Sequence, residues 1–370
     1  MQNALEYLLH ANLIDQRQQS KVKHKLNEII GIAFLAMLAN AEGWNEIEIF
    51  AKYYEEELKE LFELENGIPS HDTIERAFAM LAPDFLEYFQ KRFVEMLNND
   101  EGEKIKKILA IDGKTQCGNK TSSQKANHIV SAVDENGFCI GQELVDDKSN
   151  EITAIPDLLD NLNIKGHIIT TDAMGTQRDI VKKIQRNRAD YVLALKGNQN
   201  SLYDNVKTYF EDEEFLEKSA YHKTLEKARG GIEKREYWQT EDVLWLSQKK
   251  DWVGLKSIAM TRNTITKNDK TTVETRYFIS SLPVDAKEIA RAIRGHWMVE
   301  SYHHHLDVTF REDADRTIDK QAAYNLNILR KLALNMLKLI DINYKRASLK
   351  AKRYAISLDP VRFFAKIMGI

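Results

Sequence analysis

The pattern of apolar and polar positions changes texture twice along this chain. Up to about residue 100 strong helix formers dominate, and only Pro69 and Pro83 interrupt them. That predicts an N-terminal helical domain over residues 1–100. Its apolar run Ile29–Ala39 reads as a buried helix, too short to span a bilayer. The stretch NGIPSHDTIERAFAML reads as a loop and a helix start, with Asp72 as cap and Glu75 completing a capping box. A short helix carrying Thr73 and Arg76 suits a DNA groove or, more simply, a packing position in a bundle.

From Ile105 the pattern becomes apolar and β-branched. IKKILAID reads as a strand that stops at Gly113, and HIVSAVDENGFCIGQEL as two strands around a DENG hairpin turn. EITAIPDLLDNL, GTQRDIVKKIQRN and SLYDNVKTYF read as helices, GHIITTDA and ADYVLALKG as short buried strands. A hairpin followed by alternating helices and strands predicts an α/β fold, a mixed sheet with helices on its faces. Residues from about 215 to 284 turn β-rich again, alternating around a polar turn at Lys267–Lys270. The helical DAKEIARAIRGHWMVESYHHHL follows. A last long helix shows Leu326, Leu329, Ala333, Met336 and Ile340 as a core-facing stripe.

At 370 residues, 43% hydrophobic and 29% charged, the chain is long and apolar enough for a real core. The net charge of −3 excludes a global positive field, so nucleic-acid binding would rest on local patches. Lys21–Lys25 and YKRASLKAKR near the C-terminus are two such patches. Cys117 and Cys139 are too few for a disulfide framework and lack zinc spacing, which points to a reducing cytoplasm. The opening MQNALEYLLHAN has no basic segment of the kind a signal peptide carries, and no membrane association is expected.

Three acids stand out by position. Asp112 in LAIDGKT and Asp172 in IITTDAMG each end a strand, and ligands of open α/β sheets collect beyond such ends. Either one alone also reads as a turn residue or, for Asp172, a cap on the next helix. Glu300 follows Ile293 by seven residues and Trp297 by three, so it shares their buried face. A buried carboxylate needs a cation, a hydrogen-bond network, or an arginine such as Arg294 or Arg311. An oxygen-only set without cysteine suits Mg²⁺ or Mn²⁺, and carboxylates bridging two such ions serve phosphoryl chemistry.

These motifs resemble a known family. ILAIDGKT, TTDAMGTQ and IRGHWMVESYHHHLDVTFRED resemble the three acidic motifs of the H-repeat-associated insertion-sequence transposases, a DDE-type family. The resemblance covers nearly the whole chain and includes NGIPSHDTIERAF, LALKGNQ, RYFISSL and NILRKLALNMLK. It implies an RNase H-like catalytic domain over residues 101–370, with a β-rich insertion at about 215–284. The gap of 128 residues between Asp172 and Glu300 (300 − 172) leaves room for one. It implies Asp112, Asp172 and Glu300 as a triad that binds two Mg²⁺ or Mn²⁺ ions. It implies double-stranded DNA, the element's terminal repeats and its target, as partner, with homo-oligomers forming on DNA and association with the nucleoid. The reaction would be phosphodiester hydrolysis at the element's ends, followed by attack of the freed 3′-hydroxyl on target DNA.

Lys114, Lys196, Asn198 and Gln199 lie just beyond strand ends, where they could hold phosphates. His296 and His304 flank Glu300 by one turn on each side, to contact phosphate or orient the carboxylate, and Asp307 continues that stripe toward an arginine. The family pattern is broken in three places. Ser301 replaces an Asn, a His replaces the Trp of the motif ending Leu306-Asp307-Val308, and Arg229-Gly230-Gly231-Ile232-Glu233 replaces HGRIE. Two rival readings remain: a zinc hydrolase built on His296, Glu300 and His304, and a catalytically silent DNA-binding relic.

Overall fold

The computed structural model describes residues 22–100, 108–146, 148–228, 230–268, 270–342, 344–360 and 362–364, with Asp15, Arg17, Gln18 and Ser20. Lys21 of the first basic patch, Ile105 and Arg229 lie outside the described residues. Strands β1 (Ile108–Thr115), β2 (His128–Asp134), β3 (Cys139–Leu144), β4 (Ile168–Thr171), β5 (Asp190–Leu195), β6 (Ala220–Ala228), β7 (Gly231–Thr240), β8 (Ser257–Lys267) and β9 (Lys270–Ser280) form one sheet. Its order is β3-β2-β1-β4-β5-β9-β8-β7-β6. β1, β4 and β5 run parallel, and every other pair is antiparallel. The parallel pairs are where crossover helices intervene, Glu151–Asn161 before β4 and Arg178–Arg186 before β5.

The helix Ala286–Phe310 lies across β1, β2 and β4. Gly295 permits the close approach: a Cβ there would stand 2.7 Å from Cγ2 of the fully buried Ile108. The helix Lys320–Leu339 does not show the single stripe its sequence suggested. All of residues 322–337 are buried. It packs against the helices Leu26–Leu38, His71–Met80 and Pro83–Asp100, and also against β3 and Ala286–Phe310. Because it is covered from both sides, its polar side chains reach into the protein: Asn325 donates to the carbonyls of Phe78 and Leu81 at 2.8 Å. One continuous apolar cluster therefore joins the N-terminal helices to the sheet.

Two local readings change. The His71–Met80 helix is capped by Ser70, whose hydroxyl accepts from Thr73 N–H, with Asp72 in the first turn. Arg353, read as part of the C-terminal basic surface, is fully buried and donates to the carbonyls of Met37, Ala41 and Thr309. Those carbonyls lie at or just beyond helix C-termini, where a guanidinium complements the dipole. Among the described residues no helix is long and apolar enough to cross a membrane.

Candidate active site

β1 does not stop at Gly113. It runs past Asp112 to Thr115 because β2 keeps pairing with it, Asp112 facing Ser131 and Thr115 facing His128. The ladder that ends near Asp112 is the parallel one with β4, whose last pair is Ile111 with Thr171. One step further in the same register sets Asp112 beside Asp172, about 5 Å apart backbone to backbone. β4 ends there because Asp172 turns the chain. Its Oδ1 accepts from the N–H groups of Met174 at 2.9 Å and Gly175 at 3.1 Å. The helix that follows begins only at Arg178, with Gln177 in the N-cap position, so Asp172 is not its cap.

Glu300 comes from the helix that crosses β1 at Gly295. From that crossing, eight helical residues to His303 span about 12 Å. Four strand residues from Ile108 to Asp112 span about 13 Å. The matched advance explains why His303 Nδ1 stands 3.7 Å from Asp112 Oδ2. Glu300 was expected on the buried face, but it is exposed. Ile293 of the same stripe is buried over the sheet, whereas Glu300 lies beyond the end of β4, where the stripe opens into a cavity. Arg294 and Arg311 do not neutralise it, since they pair with Glu226 and Glu42, each at 3.4 Å.

That cavity, about 440 Å³, is lined by Asp112, Asp172 and Glu300 together, with His296, Lys196 and Arg276 on its walls. Burial, then the charges of Glu151, Asp172 and Glu300, push the Asp112 carboxyl up to about 7. Burial pulls His296 down to about 4 and His303 down to about 3, so both rings are neutral near pH 7. His296 Nδ1 meets Thr170 Oγ1 at 3.2 Å. Among the described residues no three His, Cys, Asp or Glu side chains converge tightly enough to form a ready-made metal cage.

The remaining expected contacts divide. Lys196 is exposed on the cavity wall. Asn198 and Gln199 instead bind the Asp172 loop, donating to the carbonyls of Ala173 at 2.5 Å and Thr176 at 3.1 Å. Lys114 is enclosed by carboxylates: Asp307 at 2.8 Å, Asp313 at 3.0 Å and Glu312 at 3.3 Å. Asp307 thus pairs with a lysine rather than an arginine. His304 is exposed and does not line the cavity, so the zinc set His296, Glu300 and His304 is not assembled.

Three residues, Glu151, His128 and Arg276, escaped the sequence reading, and His304 was chosen where the spacing equally allowed His303. Glu151 opens the helix after β3 and bonds His128 Nε2 at 2.6 Å, while His128 Nδ1 meets Thr115 Oγ1 at 2.8 Å. Both pack on Gly113, where any side chain would collide with them. His303, not His304, is the histidine beside Asp112. Arg276 belongs to β9, and its only legible signal was a charge in an otherwise alternating strand.

A family model for the transposase DDE domain matches residues 103–336, a span that contains all three acids. The chain belongs to the DDE transposases. A second model, DDE_Tnp_1-associated, matches residues 9–94 of this transposase. The putative transposase YncI of Escherichia coli O157:H7 is 39% identical over 97% of this chain and 93% of its own length. The H repeat-associated putative transposase YhhI of Escherichia coli K12 is 38% identical over 95% and 94%. A short stretch, 17% of this chain, is 47% identical to a protein named inactive transposase YbfQ from Escherichia coli K12, covering 74% of it.

Proposed function

We propose that this transposase cuts and joins the ends of an insertion sequence by phosphodiester hydrolysis and strand transfer, with Asp112, Asp172 and Glu300 as its catalytic acids. One observation carries the reading: two adjacent parallel strands and one helix deliver these three carboxylates to a single cavity. An RNase H-like domain over 101–370 agrees with the antiparallel β1–β3 unit followed by parallel β4 and β5. In that reading β6–β9 form the β-rich insertion, residues 1–100 form the N-terminal helical domain, and the protein assembles as a homo-oligomer on DNA.

The donor set fits Mg²⁺ or Mn²⁺. All three side chains offer oxygen, and their mutual repulsion at Asp112 is the field a cation relieves. Mg²⁺ is commonly held by one or two carboxylates together with water and substrate phosphate, which an open set of three acids allows. When bound, a pair of such ions stabilises the charge on the attacking and leaving oxygens. Asp172 is held in place through two backbone N–H groups, and Glu300 lines the cavity with no arginine paired to it among the described residues. In the first step water's oxygen bonds to phosphorus, the P–O3′ bond breaks, and the 3′ oxygen leaves as a hydroxyl with water's proton. In the second, that hydroxyl's oxygen bonds to a target phosphorus, displaces the target's 3′ oxygen and passes its proton to it.

The test uses element-end duplex DNA. Asp112→Asn, Asp172→Asn and Glu300→Gln should each lower cutting by at least about 1,000-fold while end binding survives. Normal cutting by any folded variant removes that residue from the triad. A wild-type protein that binds ends but never cuts would be the silent relic.

A further inference from the structure

The cavity that holds the acids has an opposing wall made by β9. There Arg276 Nε donates to Glu274 Oε1 at 2.8 Å, and the guanidinium lies 5.9 Å from the centre of the Trp297 ring. Trp297 stands on the acid-bearing helix three residues before Glu300, so the contact bridges the two walls. Arg235 reaches the same ring at 5.6 Å, but its situation differs. Its side chain is 7% exposed and is neutralised by both Glu226 and Glu233. Arg276 is 40% exposed, has one carboxylate partner, and faces the cavity.

A DNA strand entering this cavity meets a cluster of carboxylates that repels phosphate, so approach needs cations on the other side. The Trp297 ring lies within cation–π reach of the guanidinium, and Glu274 takes one of its five N–H groups. A pre-oriented fork with free donors is the geometry that takes two oxygens of one phosphate. The exposed pair with Glu274 is itself worth little, so exchange for a phosphate costs little. Lys196, at the end of β5 on the same cavity, has no ion pair among the described residues and adds a point charge.

We propose that Arg276, braced by Trp297, binds a backbone phosphate of the DNA strand next to the scissile bond, with Lys196 as a second contact. This rests on the transposase reading above. The neutral isostere of a phosphate tests it. Binding of element-end duplexes carrying a single methylphosphonate, moved stepwise through the positions flanking the cut, is measured for the full chain without added metal. One position should weaken wild-type binding by about 10- to 100-fold, and Arg276→Gln should weaken binding to unmodified DNA by a similar factor. At that position alone Arg276→Gln should be indifferent to the methylphosphonate, and its salt slope should fall by about 1.

Glu274→Gln should shift affinity the opposite way, toward tighter binding, because it removes the competing carboxylate. Arg276→Lys should recover part of the affinity. The proposal is overturned if Arg276→Gln keeps the wild-type interference map, or if Glu274→Gln weakens binding as Arg276→Gln does. The measurement reads binding alone, so it fails separately from the reading of the triad. Triad variants that still cut would sink the catalytic assignment and leave this map intact.

Discussion

Replacing Lys114 by methionine removes the ammonium that ion-pairs with Asp307, Glu312 and Asp313. The lysine side chain is 12% exposed and Glu312 is 0% exposed, whereas the two aspartates are more than a third exposed. Water therefore screens most of what the aspartates lose, and the cost falls on Glu312. Leaving one buried carboxylate without its cation costs about 3–5 kcal/mol. Asn327 still donates to Glu312, and the charge of the buried Lys331 still acts on it, so the lower end, about 3 kcal/mol, is expected.

The pH dependence has a definite sign. Burial already holds Asp307 above its ordinary value, and Lys114 opposes that. Without the ammonium, Asp307 binds its proton still more tightly in the folded chain than in the unfolded one. The destabilisation is then full well above pH 4 and shrinks as pH falls toward the unfolded carboxylate value of about 4. Urea unfolding at pH 7.5 and pH 5 measures it. A deficit under about 1 kcal/mol at pH 7.5, or one equal at both pH values, would refute the reasoning. Cutting should fall as well, because the Lys114–Asp307 contact ties β1 to the acid-bearing helix two residues beyond Asp112.

Two further outcomes are expected. Gly295→Ala gains about 1 kcal/mol of helix propensity, yet its Cβ meets Ile108 at 2.7 Å, and overpacking of about 1–3 kcal/mol should leave the variant less stable and far less active. Thermal unfolding and cutting assays check this, and a stabilised, active variant would refute it. The raised Asp112 carboxyl means the folded metal-free chain keeps a proton that the unfolded chain loses, so stability should fall as pH rises from about 4 to about 7. Asp112→Asn should flatten that decline, raising the melting temperature relative to wild type at pH 8 and not at pH 4. A parallel decline in both proteins would argue against it.

Most strands and helices were legible because periodicity is a local property. The DENG hairpin, the short apolar strands and the alternating β8–β9 pair each carry their pattern within a dozen residues. Errors arose where a partner lies outside the segment itself. β1 looked finished at Gly113, but β2 continues the ladder to Thr115. The helix Lys320–Leu339 looked one-sided, but it is covered in part by helices more than two hundred residues earlier.

The acids themselves were visible from residue type and position, since a carboxylate at the end of an apolar run is unusual in any chain. How they stand was not. Whether Glu300 is buried depends on where β4 ends beneath its helix, and β4 ends because Asp172 turns the backbone. Lys114 and Arg353 look alike as charges in a sequence, one read as a phosphate contact and the other as part of a basic surface. Packing encloses one among carboxylates and the other among helix carbonyls. Local chemistry thus determined which side chains this transposase carries into its site. Burial and pairing, which are set by residues up to three hundred positions away, decided which of them remain free to meet a substrate.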